Sequence, residues 1–202
     1  MYSESSFAHN PIRVHAAGGF RLSGCVVTIG AFDGVHRGHR QLVQATVASA
    51  ARQGLPAVIY TFDPPPKVFF GRARALISLE EKIGRLGALE PDHIVVAAFD
   101  DACRRRTAME FIAELGMLNP RLIWVGDDFR FGAEQAGDVG LLTRYFAVRT
   151  LGPVQCKGGQ VISSSRIRRL LDGGELSAAE ALQGWRGLKL DGAEASAGGG
   201  CV

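Results

Sequence analysis

Two histidines, His36 and His39, stand three residues apart with Gly38 between them, at the end of the stretch Gly30-Ala31-Phe32-Asp33-Gly34-Val35. The apolar run Cys25-Val26-Val27-Thr28-Ile29 leads into this stretch, and an apolar-periodic segment from Leu42 to Ala51 leads out of it. Strand, glycine-rich turn and helix, in that order, aim backbone N–H groups and a positive dipole at an anion. Imidazoles on the first turn of such a helix are placed to grip a polyphosphate. An isolated His-x-x-His pair is more often a cap or a packed turn; the ten-residue context is what reverses that preference.

Three more stretches carry chemistry, and each follows an apolar run. Thr61-Phe62-Asp63-Pro64-Pro65-Pro66 alone reads as a rigid loop after a strand. Val125-Gly126-Asp127-Asp128-Phe129-Arg130-Phe131-Gly132 joins two acids to two aromatics between glycines, which packing alone does not require. Ile162-Ser163-Ser164-Ser165-Arg166-Ile167-Arg168 runs three hydroxyls into a helix with arginines on its first turns. A serine N-cap accounts for one of those hydroxyls, not for three. The first stretch has neither the Gly-x-x-x-x-Gly-Lys-Ser/Thr of a P-loop nor the Gly-x-Gly-x-x-Gly of a dinucleotide fold. His36-Arg37-Gly38-His39 instead matches the His-x-Gly-His signature of the nucleotidyltransferases.

The four motifs, at 28–39, 62–66, 126–132 and 163–168, together resemble the prokaryotic FAD synthetases in their FMN adenylyltransferase module. The resemblance implies adenylyl transfer from Mg-ATP to FMN, giving FAD and pyrophosphate. It implies His36, His39 and Arg168 as catalytic residues, and Gly30, Ala31, Phe32, Asp33, Gly38, Ser164 and Ser165 around ATP. Phe62, Pro64, Asp128 and Phe129 are implied as the FMN lining. Asp33 either contacts the nucleotide or stabilises the turn. Mg²⁺ is implied by the triphosphate rather than by a protein cage, and no metal ligand is assigned. Two residues depart from the family pattern: Ala31 replaces a frequent asparagine, and Pro65 a frequent histidine. The alternatives are nucleotidyl transfer to another phosphomonoester and a non-catalytic flavin-nucleotide binding paralogue.

The elements that must position these motifs alternate between strand and helix. Strands are expected at 25–29, 56–62, 93–99, 121–126 and 147–151. Helices are expected after Ser78, after Thr107, over 139–146, over 165–171, and over 178–182 with Ser177 and Glu180 as its cap. This predicts an α/β protein: an open parallel sheet, Rossmann-like, of about five strands with helices on both faces. Ligands in such sheets bind beyond the carboxyl ends of the strands, where all four motifs fall. Residues 1–23 read as a lead-in with a short extended piece at 12–15, 24–184 as the nucleotidyltransferase domain, and 185–202 as a short flexible tail. No riboflavin kinase half fits in that tail, so no riboflavin kinase activity is expected.

Composition bounds the rest. Hydrophobic residues at 47% and charged residues at 21% are those of a globular protein. A net charge of +3 and a pI near 8.8 suit an anionic small substrate, and the basic runs 104–106 and 166–169 read as solvated faces. The expected partners are therefore ATP and FMN, with neither nucleic acid nor membrane. Four scattered cysteines form no Cys-x-x-Cys, and no hydrophobic signal core opens the chain, so the cytoplasm is the expected location. Oligomeric state is not encoded in any of these features.

Overall fold

The structure is a computed structural model that describes residues 12–185 of the 202. The first strands and helices run β1 (Arg13–Ala16), β2 (Cys25–Ile29), α1 (Arg37–Gln53), β3 (Ala57–Asp63), α2 (Pro66–Phe69), α3 (Leu79–Gly87) and β4 (His93–Ala98). The chain continues through α4 (Asp101–Arg105), α5 (Ala108–Gly116), β5 (Pro120–Gly126), the two-residue strands β6 (Arg130–Phe131) and β7 (Gly137–Asp138), and α6 (Val139–Leu142). It closes with β8 (Val148–Leu151), α7 (Ser164–Asp172) and α8 (Leu176–Gln183).

Six strands form one parallel sheet in the order β1-β4-β3-β2-β5-β8. The alternation of side chains in a strand sorts its residues between two helical layers. Cys25, Val27 and Ile29 of β2, Val58 and Tyr60 of β3 and Ile123 and Val125 of β5 pack with Phe111, Ile112 and Leu115 of α5. Val26, Ala57 and Leu122 meet Ala50 of α1, while Ile59 and Ile94 meet Val43 of α1 and Leu86 of α3. Both faces are covered, which is why the central strand reads as a continuous apolar run. From β2 the chain steps outward through β3 and β4, then returns to the other side of β2 with β5. The switch point lies between β2 and β5, where Gly30 and Gly126 leave the sheet.

The sheet has one strand more than the expected five, because the expected lead-in supplies β1. Arg13 to Ala16 pair in parallel with His93 to Val96, so this piece is an edge strand of the domain. There His15 Nε2 and His93 Nδ1 lie 3.1 Å apart, and Phe20 stacks on His15 with ring centroids 3.7 Å apart. At the other end of the described chain, Trp185 is packed onto the domain instead of starting a tail. Its indole N–H donates to Val35 O at 2.7 Å, and Arg40 and Arg85 lie 4.8 Å and 5.7 Å from its ring centroid. Residues 1–11 of the expected lead-in and 186–202 of the expected tail lie outside the described residues.

Helix signals differ in how closely they hold. Thr107 and Glu110 form a complete capping box, each side chain bonded to the other's backbone N–H. Ser78 caps α3, but Glu81 turns to Arg85 at 2.5 Å instead of reaching back. The Ser177 cap is not formed. The turn at Gly173-Gly174 already bonds Glu175 N to Leu170 O, so α8 starts at Leu176, with Glu175 as a cap that makes no side-chain hydrogen bond. Helix α6 stops at Leu142 rather than Phe146.

Candidate active site

The loop from β2 to α1 packs three left-handed backbone conformations into four residues: Phe32 (φ 46°), Gly34 (φ 81°) and Val35 (φ 41°). Glycine takes this conformation freely, whereas a β-branched valine there is an outlier that surrounding structure must enforce. Enforcement comes from the core: the Phe32 and Val35 side chains are fully buried among Leu42, Val43 and Leu86. It comes equally from the carbonyls. Ala31 O accepts from Thr61 Oγ1, Phe32 O from Val35 N, Asp33 O from Ser164 Oγ, Gly34 O from Arg85 Nη1 and Val35 O from Trp185 Nε1. With five successive carbonyls occupied, the N–H groups of Ala31 to Gly34 remain unengaged among the described residues. A turn whose amides are free while its carbonyls are tied is an anion cradle.

His36 is the N-cap of α1, its Nδ1 accepting from His39 N at 3.3 Å. That bond leaves the proton of the neutral ring on Nε2. The two imidazoles stack with centroids 3.6 Å apart and planes 15° apart, and Phe32 meets His39 edge-on at 5.3 Å. Gly38 is explained by the same stack: a Cβ there would stand 3.2 Å from Cε1 and Nδ1 of His36. Burial pushes His36 down to about 4. Burial holds His39 well below the usual imidazole value, and the charges of His36 and Lys82 push the same way. Both rings are therefore neutral near pH 7. His39 Nδ1 is shut off from solvent with no hydrogen-bond partner, while the ring itself helps form a cleft wall.

That cleft, about 680 Å³, is where all four motifs meet. Gly30, Ala31, Asp33, His36, Gly38 and His39 line it from the first motif, and Ser163, Ser164, Ser165 and Arg168 from the last. Phe62, Pro65 and Pro66 close one side, with Asp128 and Phe129 on another. Phe129 stacks on Phe131 at 5.5 Å and Phe62 packs edge-on against Tyr60 and Phe99, so both rings are held by the core.

Two residues expected at the site are placed elsewhere. Phe32 has no exposed surface and sits beneath the cleft as core, off the cleft wall. Pro64 is exposed after the cis Asp63–Pro64 bond and is absent from the wall; the next two prolines take its place. Arg168 and Asp33 reach the cleft as a pair. Arg168 is only 8% exposed, with Nη2 on Asp33 Oδ2 and Nε donating to Arg74 O at 2.7 Å. Asp33 Oδ1 also accepts from Leu76 N at 2.9 Å. Asp33 thus fastens the first turn to α7 and to the loop at 74–76, which favours the turn-stabilising role.

Sequence reasoning missed two lysines. Lys67, on α2, lines the cleft and lies 3.3 Å from Ser165 Oγ. Lys82 is 1% exposed, donating to Phe62 O at 2.7 Å with Asp63 Oδ1 at 3.6 Å, so it fastens the end of β3 from below. Burial lowers its pKa, and the nearby Asp63 and Asp33 carboxylates oppose that. The Gly152-Pro153 turn after β8, also on the wall, was legible as a strand end but carried no motif. Among the described residues there is no group of three or more His, Cys, Asp or Glu side chains able to hold a metal ion. No helix among them is long and apolar enough to cross a membrane.

A family model described as FAD synthetase matches residues 21–166. A Geobacillus thermodenitrificans protein assigned to the bifunctional riboflavin kinase/FMN adenylyltransferases is 47% identical over 175 residues, covering 86% of this chain and 98% of that one. The Escherichia coli K12 bifunctional riboflavin kinase/FMN adenylyltransferase is 39% identical over 170 residues, 80% of this chain and 54% of that protein. The chain therefore spans nearly the whole of the first relative and about half of the second. A Streptococcus pneumoniae structure described as a macrolide-efflux protein shares the fold with a TM-score of 0.73 at 29% identity, covering 82% of this chain and 56% of that one. With a six-stranded Rossmann-like sheet, the His-x-Gly-His turn and these relatives in agreement, the chain belongs to the FAD synthetase family.

Proposed function

We propose that this protein transfers the adenylyl group of ATP to FMN, giving FAD and pyrophosphate. One observation carries the reading: stacked neutral imidazoles, an amide-lined turn and a buried arginine share a single cleft with two core-held aromatic rings. In the reaction an oxygen of the FMN phosphate forms a bond to the α-phosphorus of ATP. The bond from that phosphorus to the bridging oxygen breaks, and its electron pair leaves with pyrophosphate. The nucleophile is already an anion, so positioning and charge stabilisation suffice.

The Nε2–H of His36 is set by its backbone bond to donate to the triphosphate, and His39 stands stacked beside it. A polyphosphate would supply the negative charge that the buried rings lack, raising their proton affinity on binding. The free amides of Ala31 and Asp33, the turn residues on the cleft wall, would offer hydrogen bonds to phosphate oxygens, and Gly38 leaves room for the His36 ring. Arg168 retains N–H donors beyond those given to Asp33 and Arg74, and Ser165 stands beside it. Phe62 and Phe129 present rings for isoalloxazine, with Asp128 at the polar rim.

The residues fit a divalent cation that arrives on the nucleotide. Asp127 and Asp128 are exposed on the wall, whereas Asp33 is committed to Arg168. Magnesium bound to substrate oxygens would neutralise phosphate charge. The test is direct: purified protein, FMN and Mg-ATP, with chromatographic detection of FAD. FAD formation is expected, and its absence while FMN and ATP both bind would replace this reading with that of a binding module.

A further inference from the structure

A second cavity of about 540 Å³ adjoins the cleft, lined by Lys67, Arg72, Ala73, Arg74, Ser165, Arg168 and Asp172. Lys67, Ser165 and Arg168 line both cavities, and Lys67 Nζ lies 3.3 Å from Ser165 Oγ where the two meet. Four cationic side chains face one carboxylate here. Arg168 is already balanced by Asp33, and the Arg74–Asp172 pair, 2.8 Å long, is 63% exposed on both sides. Exposed pairs of this kind hold their partners weakly. Lys67 and Arg72 make no ion pair among the described residues. A cavity so lined fits a compact, multiply charged phosphate anion.

Its backbone is fixed by the same pair that shapes the first cavity. Arg74 O accepts from Arg168 Nε and Leu76 N donates to Asp33, so the loop bearing Arg72 and Arg74 is anchored to the turn under the histidines. We propose that this second cavity is an anion subsite for the pyrophosphate leaving the cleft, with Lys67 and Ser165 passed on the way and Arg72 and Arg74 receiving it. The proposal rests on the adenylyl-transfer reading for the source of the anion. The recognition itself needs only the inorganic ion.

The experiment is therefore calorimetric titration of the apo protein with inorganic pyrophosphate, and in parallel with ATP, followed by product inhibition of FAD formation. The double variant R72A/R74A is expected to weaken pyrophosphate binding by about tenfold or more, the size of a lost charge-assisted contact. Asp172→Asn is expected to tighten it by roughly threefold, because Arg74 is released. The inhibition constant for pyrophosphate should move in the same two directions. Unchanged pyrophosphate binding in the double variant would overturn the proposal. So would an equal loss of ATP affinity, which would make the cavity part of the ground-state nucleotide site. Pyrophosphate binding that responds to these variants in a protein making no FAD would support the subsite and sink the reaction.

Discussion

Among the described residues two histidine pairs stand at opposite ends of the strands, one at the β1–β4 edge and one beyond the central β2, and they are built differently. His15 and His93 come together across 78 residues because β1 and β4 pair, and they lie 3.1 Å apart with Phe20 stacked on the outer ring. His36 and His39 are neighbours on one helical turn, stacked face to face, one engaged by a backbone N–H and the other with a buried nitrogen left unpartnered. The first pair sits at the amino end of β4, where its nitrogens face each other. The second sits at the carboxyl end of β2 on a cleft wall. Proximity of imidazoles is common to both. Rings that line a cavity are not, since His36 and His39 both form part of the cleft wall, and that difference is what makes one pair a site.

Breaking the cleft pair should have the largest effect. His39→Ala is expected to lower turnover roughly a hundredfold or more, as loss of a charge-stabilising donor does, measured as steady-state FAD formation. Arg168→Ala should approach that loss in turnover. It should also cost about 3–5 kcal/mol in urea denaturation, because it strands the buried Asp33 carboxylate. The neutral rings predict a pH effect of definite sign. His36 has an ordinary value near 6.5 when unfolded and about 4 when folded. Its contribution to stability is full above the unfolded value and is lost as pH falls through the window between the two, where the unfolded chain holds the extra proton. Polyphosphate binding in that window should take up protons, read as buffer-dependent calorimetric heat. Gly38→Ala sharpens the geometry, since its Cβ meets the His36 ring at 3.2 Å. A drop in kcat of about three- to tenfold is expected from the displaced imidazole. Smallest of all, the double variant H15A/H93A should leave FAD formation within about twofold, since it touches only the far edge. A large loss there would erase the contrast between the pairs.

The chemistry was legible because it is local. A His-x-Gly-His turn, a hydroxyl run into a helix and an acid-aromatic turn announce themselves within ten residues, and strand-helix alternation sends them all to one edge. Features that depend on distant partners were not. The Asp33–Arg168 pair spans 135 residues, so the catalytic role expected of the arginine left out the structural bolt it also is. Lys82 carried no assignment because nothing local marks its contact with Phe62 O. Lys67 hides in a single helical turn after three prolines, where proline signals a loop. Pro64 was one position off for a similar reason, since the direction of a proline-rich turn is set by the β3 end beneath it. The β1 edge strand was faint because three of its four residues are exposed and only His15 turns partly inward.

Trp185 gives the turn beneath the histidines an optical consequence. The indole is bonded to the carbonyl of the residue immediately before His36, and two guanidinium groups flank its ring. The sequence contains one other tryptophan, Trp124, whose ring N–H is held by Ser49 at 3.0 Å on the α1 side of the sheet. Replacing that second chromophore with phenylalanine leaves the protein with a built-in lamp whose colour is set by the peptide that carries the first imidazole. Occupancy of the turn thus becomes visible in the emission spectrum without any label.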